Sequence, residues 1–303
     1  MTKGISVEMD SYRLASYAIQ VPCYICGQDN GLEAELCRQC CAPLALAHQA
    51  RNQKTPPQII AALGSSGVGK TVYLGMLLDM LSRQSDRLQV LARGAFSLTL
   101  QQTTVAAMDR CQFPSKTPNE PDRWNWVHCQ VMGHQWRRPI ELVVPDLAGE
   151  SLFEEVEHPH SYEAIRALLI KSTAVLVLID AHRLQGGVLD QDYFSMKLLS
   201  YLGELVQDPK RSWRNRPIAL VFSKADQCEE CFEDPAEYAR RHTPGLWKFC
   251  HERFEKFKFF AAGVAGACAS RTLPGGSVIR VPLRIEPRGI IDPFEWLVEK
   301  IRH

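Results

Sequence analysis

The chain has 303 residues, 46% of them hydrophobic and 23% charged, with a formal net charge of +1. That composition excludes a disordered or fibrous chain, and a chain of this length can bury a core without disulfide staples. Balanced charge also removes the bulk electrostatic drive toward nucleic acid or an anionic membrane.

No apolar run approaches the ~18 residues of a membrane span, and the best candidate, Ala174–Ile179, is strand length. The first twenty residues mix Lys3, Glu8, Asp10 and Arg13 with apolar positions, which is unlike a signal peptide and predicts an N-terminal arm over 1–20. The eleven cysteines therefore read as thiols or metal ligands of a soluble protein in a reducing, cytoplasmic compartment. Five of them fall between Cys23 and Cys41. Cys23 and Cys26, then Cys37 and Cys40, form two Cys-x-x-Cys knuckles that can deliver four thiolates to one tetrahedral Zn²⁺. Cys41 is an alternative to Cys40, although the spacing favours Cys40. The pattern resembles a zinc ribbon over 21–46. Asp29, Glu33 and Glu35 against Arg38 suit a protein-docking or structural piece better than a phosphate-binding finger.

A polar run ending in Pro56-Pro57 reads as a linker over 47–57. From Gln58 to the end, short apolar runs alternate with helical periods, which predicts an α/β domain over 58–303 with a doubly wound, mostly parallel sheet. The expected strands are Ile59–Leu63, Ile140–Val144, Ala174–Ile179, Ile218–Phe222 and Phe257–Ala261, with Trp124–Val131 at an edge. Trp124 and Trp126 fall on one face of that strand, as sheet packing requires. Helices are expected over Thr71–Ser82, Phe194–Val206 and Pro293–Ile301, the last capped by Asp292 with Pro293 at its first position.

Gly64-Ser65-Ser66-Gly67-Val68-Gly69-Lys70-Thr71 satisfies every fixed position of G-x-x-x-x-G-K-[ST], the Walker A phosphate-binding loop, between an apolar strand and a helix. Its backbone N–H groups can cradle phosphates, Lys70 reaches the β- and γ-phosphates, and the Thr71 hydroxyl can hold Mg²⁺. The next strand ends in Pro145-Asp146-Leu147-Ala148-Gly149-Glu150. There Asp146 can hold the Mg²⁺ shell and Gly149 can offer its N–H to a γ-phosphate. After Ile218–Phe222 comes Ser223-Lys224-Ala225-Asp226. The Asp226 carboxylate can accept two hydrogen bonds from guanine N1–H and the 2-amino group, donors that adenine lacks.

Those three motifs, in order over 64–226, resemble the Ras-like P-loop GTPases. The resemblance implies GTP or GDP with Mg²⁺ as ligands. It also implies a last base-binding loop at Gly263-Val264-Ala265, with Val264 contributing backbone. A switch threonine is expected between the P-loop helix and the Asp146 strand. Thr117 is the best-placed hydroxyl, while Thr103 and Thr104 fall in a helix-like stretch. Glu150 occupies the position where many of these enzymes orient the attacking water with Gln, which implies slow hydrolysis unless a partner assists.

The Pro-x-x-Thr segment, Asp-Leu-Ala-Gly-Glu and Ser-Lys-Ala-Asp together look most like the bacterial double-GTPase (DO-GTPase) domains. That resemblance implies a nucleotide-controlled switch acting on a protein partner, in the setting of biological conflict. A binding scaffold without turnover is the alternative that Glu150 leaves open, and a P-loop ATPase or kinase is the one Asp226 opposes. Cys228 and Cys231, with Cys250, His242 and His251 further on, read as insertion-loop residues with a second metal site as the alternative. His158 and His160 read as loop.

Overall fold

The computed structural model describes residues 19–52, 56–83, 88–134, 136, 138–186, 190–206, 212–272, 275–276 and 278–302. Most of the expected N-terminal arm, 1–18, lies outside them.

Two short antiparallel strands, β1 (Gln20–Pro22) and β2 (Asp29–Gly31), open the described chain around the cysteine knuckles. A helix, Ala45–Asn52, then occupies much of the stretch expected to be a linker. Its polar composition hid the helix, but Leu46 and Ala47 turn inward and are buried.

The main sheet has seven strands: β3 (Gln58–Leu63), β4 (Leu88–Arg93), β5 (Asn125–Gly133), β6 (Ile140–Asp146), β7 (Ala174–Asp180), β8 (Ile218–Ser223) and β9 (Phe257–Ala261), in the order β4-β5-β6-β3-β7-β8-β9. The five strands from β6 to β9 run parallel, and β4 and β5 are antiparallel additions at one edge. The expected α/β fold with a mostly parallel sheet is therefore what the chain adopts. β5 is not an edge strand. It is covered by β4, which the sequence reading missed because only Leu88 in it is fully buried.

Central strands are apolar throughout because both faces are covered. In β3, Ile59, Ala61 and Leu63 face one buried cluster, and Ile60 and Ala62 face another. The first cluster continues into the cysteine module through Val21, Ile25, Leu44 and Ala47, so module and domain share one core. The second is closed by the P-loop helix, Lys70–Arg83, and by the last helix, Ile291–Arg302, through Leu74, Leu77, Phe294 and Leu297. That last helix starts at Ile291, so Asp292 lies in its first turn and is not the cap expected from the sequence. The segment between the P-loop helix and β5 supplies β4 and a helix, Gly94–Asp109, whose Gln101 donates to Asp79 Oδ1 on the P-loop helix at 3.1 Å.

After β9 the chain forms a long antiparallel ribbon, β10 (Gly263–Thr272) with β11 (Val278–Arg288), separate from the main sheet. No helix among the described residues is long and apolar enough to cross a membrane.

Candidate functional site

Parallel strands direct their C-terminal ends to one rim of the sheet, and the loops after β3, β6 and β8 meet there around a cleft of 320 Å³. The 113–117 segment, His182 after β7 and the ribbon complete its walls.

Gly64 leaves β3 at φ +148°, with no room for a side chain because a Cβ would meet Leu178 O. The loop then turns into the helix that begins at Lys70. Lys70 Nζ donates back to Gly64 O at 2.9 Å and Ser65 O at 3.1 Å, which holds the ammonium inside the loop. Burial pushes its pKa down to about 8, against the attraction of Asp146 and Glu150. A bound polyphosphate would favour the charged form further. Ser65 Oγ donates to buried Gln191 Oε1 at 3.1 Å, a support from the helix Asp190–Leu205 that no motif announced.

Thr71 and Thr117 hydroxyls each donate to Asp146 Oδ2 at 2.9 Å. Asp146 is fully buried, and its Oδ1 has no hydrogen-bond partner among the described residues. Burial raises its pKa while Lys70, Thr117, Thr71 and Asn125 oppose the shift. An orphaned carboxylate oxygen beside two hydroxyls fits a hard cation such as Mg²⁺, which takes oxygen ligands. Of the competing threonines, Thr104 is buried on the helix Gly94–Asp109 and Thr103 Oγ1 donates to Thr99 O within it, so neither reaches the cleft.

Gly149 packs against the P-loop so closely that a Cβ would lie 2.5 Å from Ser66 N. It opens a helix, Gly149–Glu157. Glu150 Oε1 accepts from Ser66 Oγ at 2.9 Å and pairs with Lys116 Nζ at 3.2 Å. Those contacts hold its carboxyl below the usual range, the Ser66 bond first. His158-Pro159-His160 lies in the loop after this helix, away from the cleft walls.

At the other end of the cleft, Ser223 Oγ lies 2.8 Å from Val68 O and 3.2 Å from Ile179 O, tying β8 to the P-loop and β7. Lys224 Nζ is paired with the buried Asp180 Oδ2 at 2.6 Å. Asp226 rests on Gly263, where any side chain would collide with its carboxylate. Burial pushes the Asp226 pKa up to about 6. Val264 and Ala265 line the same end, together with two residues of the ribbon, Cys268 and Arg280. Sequence reasoning missed the ribbon. Its available signal was the alternation of Ile279, Val281, Leu283 and Ile285 after Gly275-Gly276.

The Sγ atoms of Cys23, Cys26, Cys37 and Cys40 lie within 4.8 Å of one another, with contacts of 3.6 Å for Cys23–Cys40 and 3.5 Å for Cys26–Cys37. A tetrahedral site with Zn–S of about 2.3 Å needs sulfurs about 3.8 Å apart. Ile25 N–H points at Cys23 Sγ and Gln39 N–H at Cys37 Sγ, as thiolate acceptors require. Cys41 is outside the cluster, so Cys40 is the geometric fourth ligand. No second group of metal-binding side chains occurs among the described residues. His242 stacks on Tyr238 at 4.3 Å and His251 bonds to Trp247 O, each within its own helix.

Residues 61–195 match the family model described as Double-GTPase 1. The double-GTPase resemblance read from the motifs is thereby shown, and the match supports GTP binding. No curated protein matches the chain. Among solved structures, a putative nucleolar GTP-binding protein 1 from Plasmodium falciparum is similar at 15% identity and TM-score 0.43, over 81% of this chain and 87% of that one. The Roco2 RocCORdC structure from Methanosarcina barkeri, bound to GDP, is similar at 12% identity and TM-score 0.35, over 81% of this chain. The Ski7 GTPase-like domain from S. cerevisiae, bound to GDP and inorganic phosphate, is similar at 15% identity and TM-score 0.43, over 80% of this chain. The chain spans 49% and 50% of the last two.

Proposed function

We propose that the protein is a GTP-dependent switch of the cytoplasm that hydrolyses GTP slowly and passes its nucleotide state to a protein partner. The observation that carries this reading is the convergence of Thr71, Thr117 and Asp146 at one end of a cleft whose other end holds the buried Asp226. A triphosphate and a guanine base need those two ends.

In this reading the P-loop N–H groups and Lys70 bind the phosphates, and Gly149 offers its N–H to the γ-phosphate. Asp226 accepts from the guanine N1–H and 2-amino group, while backbone at Val264 borders the base. Thr71, Thr117 and Asp146 would hold Mg²⁺, whose chemistry there is to neutralise charge shared by β- and γ-phosphate oxygens. Release of Thr117 and Gly149 after hydrolysis would loosen the two segments that carry them. Cys23, Cys26, Cys37 and Cys40 would hold Zn²⁺ as a structural site. A role in bacterial conflict follows from the double-GTPase resemblance alone.

Glu150 favours a second reading, a scaffold that binds nucleotide without turning it over, because an ionised carboxylate stands where an attacking water would be oriented. One experiment separates these readings. Binding of GTP and ATP with Mg²⁺ is compared in wild type and Asp226→Ala, alongside single-turnover hydrolysis. Equal affinity for GTP and ATP in wild type overturns the guanine assignment. Strong GTP preference with no cleavage selects the scaffold.

A further inference from the structure

Guanine presents acceptors as well as donors, since N7 and O6 on its Hoogsteen edge both need N–H partners in a desolvated pocket. The side chains around Asp226 have few donors left to offer. Ser223 shares its single hydroxyl proton between Val68 O and Ile179 O. The Lys224 ammonium is held by Asp180 Oδ2 at 2.6 Å. Asp226 is itself an acceptor, and Cys268 carries only a weak S–H donor.

Arg280 is different. It sits on β11 opposite Ser270 of β10, and that pairing brings it to the cleft beside Cys268. Of the arginines on β11, Arg284 pairs with Glu286 and Arg288 with Glu229. Arg280 has no hydrogen-bond or ion-pair partner among the described residues. The Cys268 thiol feels Arg280, Asp226 and Lys224 together, which places all of these charges around one end of the cleft. A guanidinium presents two parallel N–H groups in a plane, a geometry that matches N7 and O6 of guanine.

We infer that Arg280, delivered by the ribbon, is a specificity-determining residue that donates its forked N–H pair to N7 and O6 of the bound guanine. The inference rests on the GTP reading above and divides base recognition between two elements. Asp226 reads the Watson–Crick edge from the β8 loop, and Arg280 reads the Hoogsteen edge from β11.

Nucleotide analogues test the two contacts separately. GDP, 7-deaza-GDP (no N7 acceptor), IDP (no 2-amino group) and ADP are titrated into wild type, Arg280→Ala and Arg280→Lys, with circular dichroism to check the ribbon. Wild type should bind 7-deaza-GDP about tenfold more weakly than GDP, the loss expected for a hydrogen bond to a charged donor. Arg280→Ala should bind GDP about tenfold more weakly and cease to distinguish it from 7-deaza-GDP, while keeping the penalty for IDP. Arg280→Lys keeps the charge without the fork and should restore less than half of the lost discrimination, on a logarithmic scale. An Arg280→Ala protein that retains the 7-deaza penalty overturns the inference. So does one that weakens GDP, 7-deaza-GDP and ADP equally, because that marks a stacking or bulk-charge role. If wild type prefers GDP over neither IDP nor ADP, the GTP reading itself fails.

Discussion

Thr71 Oγ1 and Thr117 Oγ1 lie 2.9 Å apart although 46 residues separate them in the chain. The first belongs to the P-loop helix, the second to the segment before β5, and both donate to Asp146 Oδ2. A bridge of this kind joins the P-loop helix to the segment before β5 through a single buried carboxylate. Thr117→Ala should therefore weaken Mg²⁺-dependent GTP binding by about tenfold, the range of a hydrogen bond to a charged group. GDP binding should change by no more than about twofold, since Thr117 is expected to engage only the triphosphate state. Thr71→Ala should weaken both nucleotides. Titration of fluorescent GTP and GDP analogues against Mg²⁺ reads the difference. Equal losses for both nucleotides in Thr117→Ala would place Thr117 outside the switch.

Asp226 predicts a pH dependence of base preference. Burial pushes its carboxyl up to about 6 from an ordinary value of 3.8, with Lys224, Arg280 and Cys268 as the other titratable groups around it. Guanine N–H donors need the ionised carboxylate, so binding selects the deprotonated form and releases a proton below the shifted pKa. The GDP-over-ADP affinity ratio should be flat above pH 7 and fall by up to about tenfold per unit below pH 6. Using the ratio cancels protonation of any group that contacts the phosphates common to both nucleotides. Asp226→Asn should flatten the profile, and a profile unchanged by that substitution would remove Asp226 from base recognition.

The parts of this site that were legible in the sequence are those with strict local demands. Gly64 through Thr71 must form one loop, and its strand and helix are adjacent in the chain. β3, β6, β7, β8 and β9 were readable because burial on both faces makes them continuous apolar runs. β4 and the ribbon are half exposed, and Pro282 and Pro287 within the alternating run argue against a strand at β11. Contacts made by long-range pairing left no local trace. Gln191 reaches Ser65 across 126 residues, and Arg280 arrives at the cleft only because β11 pairs with β10. The helix Ala45–Asn52 was hidden for another reason, since Leu46 and Ala47 are the only buried residues among its described side chains and sit in a polar run.

The shared core makes the cysteine module a stability element of the whole protein. Val21, Ile25, Leu44 and Ala47 belong to the same buried cluster as Ile59 and Ala61 of β3. Lys171 also lies over the Tyr24 ring at 3.9 Å, from the helix Glu163–Lys171. Purified protein should carry about one zinc per chain, the stoichiometry of a four-thiolate site. Cys26→Ser alters the least buried ligand and should lower the main thermal transition by several degrees, with GTP binding retained below it. Metal analysis with calorimetry checks both. A lowered transition confined to a separate, earlier melting step would show that the module and the domain do not unfold together.

In the proposed GTPase reading, the charge on Glu150 would set the rate of turnover. Its carboxylate is held ionised by Ser66 Oγ and by Lys116, whose ammonium lies 3.2 Å away. The Glu150–Lys116 pair is exposed to solvent, so its net contribution to stability is small. In the proposed reaction its effect would be larger, because a negative charge beside a γ-phosphate would oppose the approach of water and the build-up of transition-state charge. Glu150→Gln keeps the shape and an acceptor oxygen while removing that charge, and should raise single-turnover hydrolysis several-fold. Lys116→Ala leaves the carboxylate unbalanced and should slow hydrolysis while weakening GTP more than GDP. Rapid-quench measurement of phosphate release in the two variants and the wild type tests the pair. If Glu150→Gln instead abolishes hydrolysis, the carboxylate is accepting a proton from the attacking water and is itself the working base.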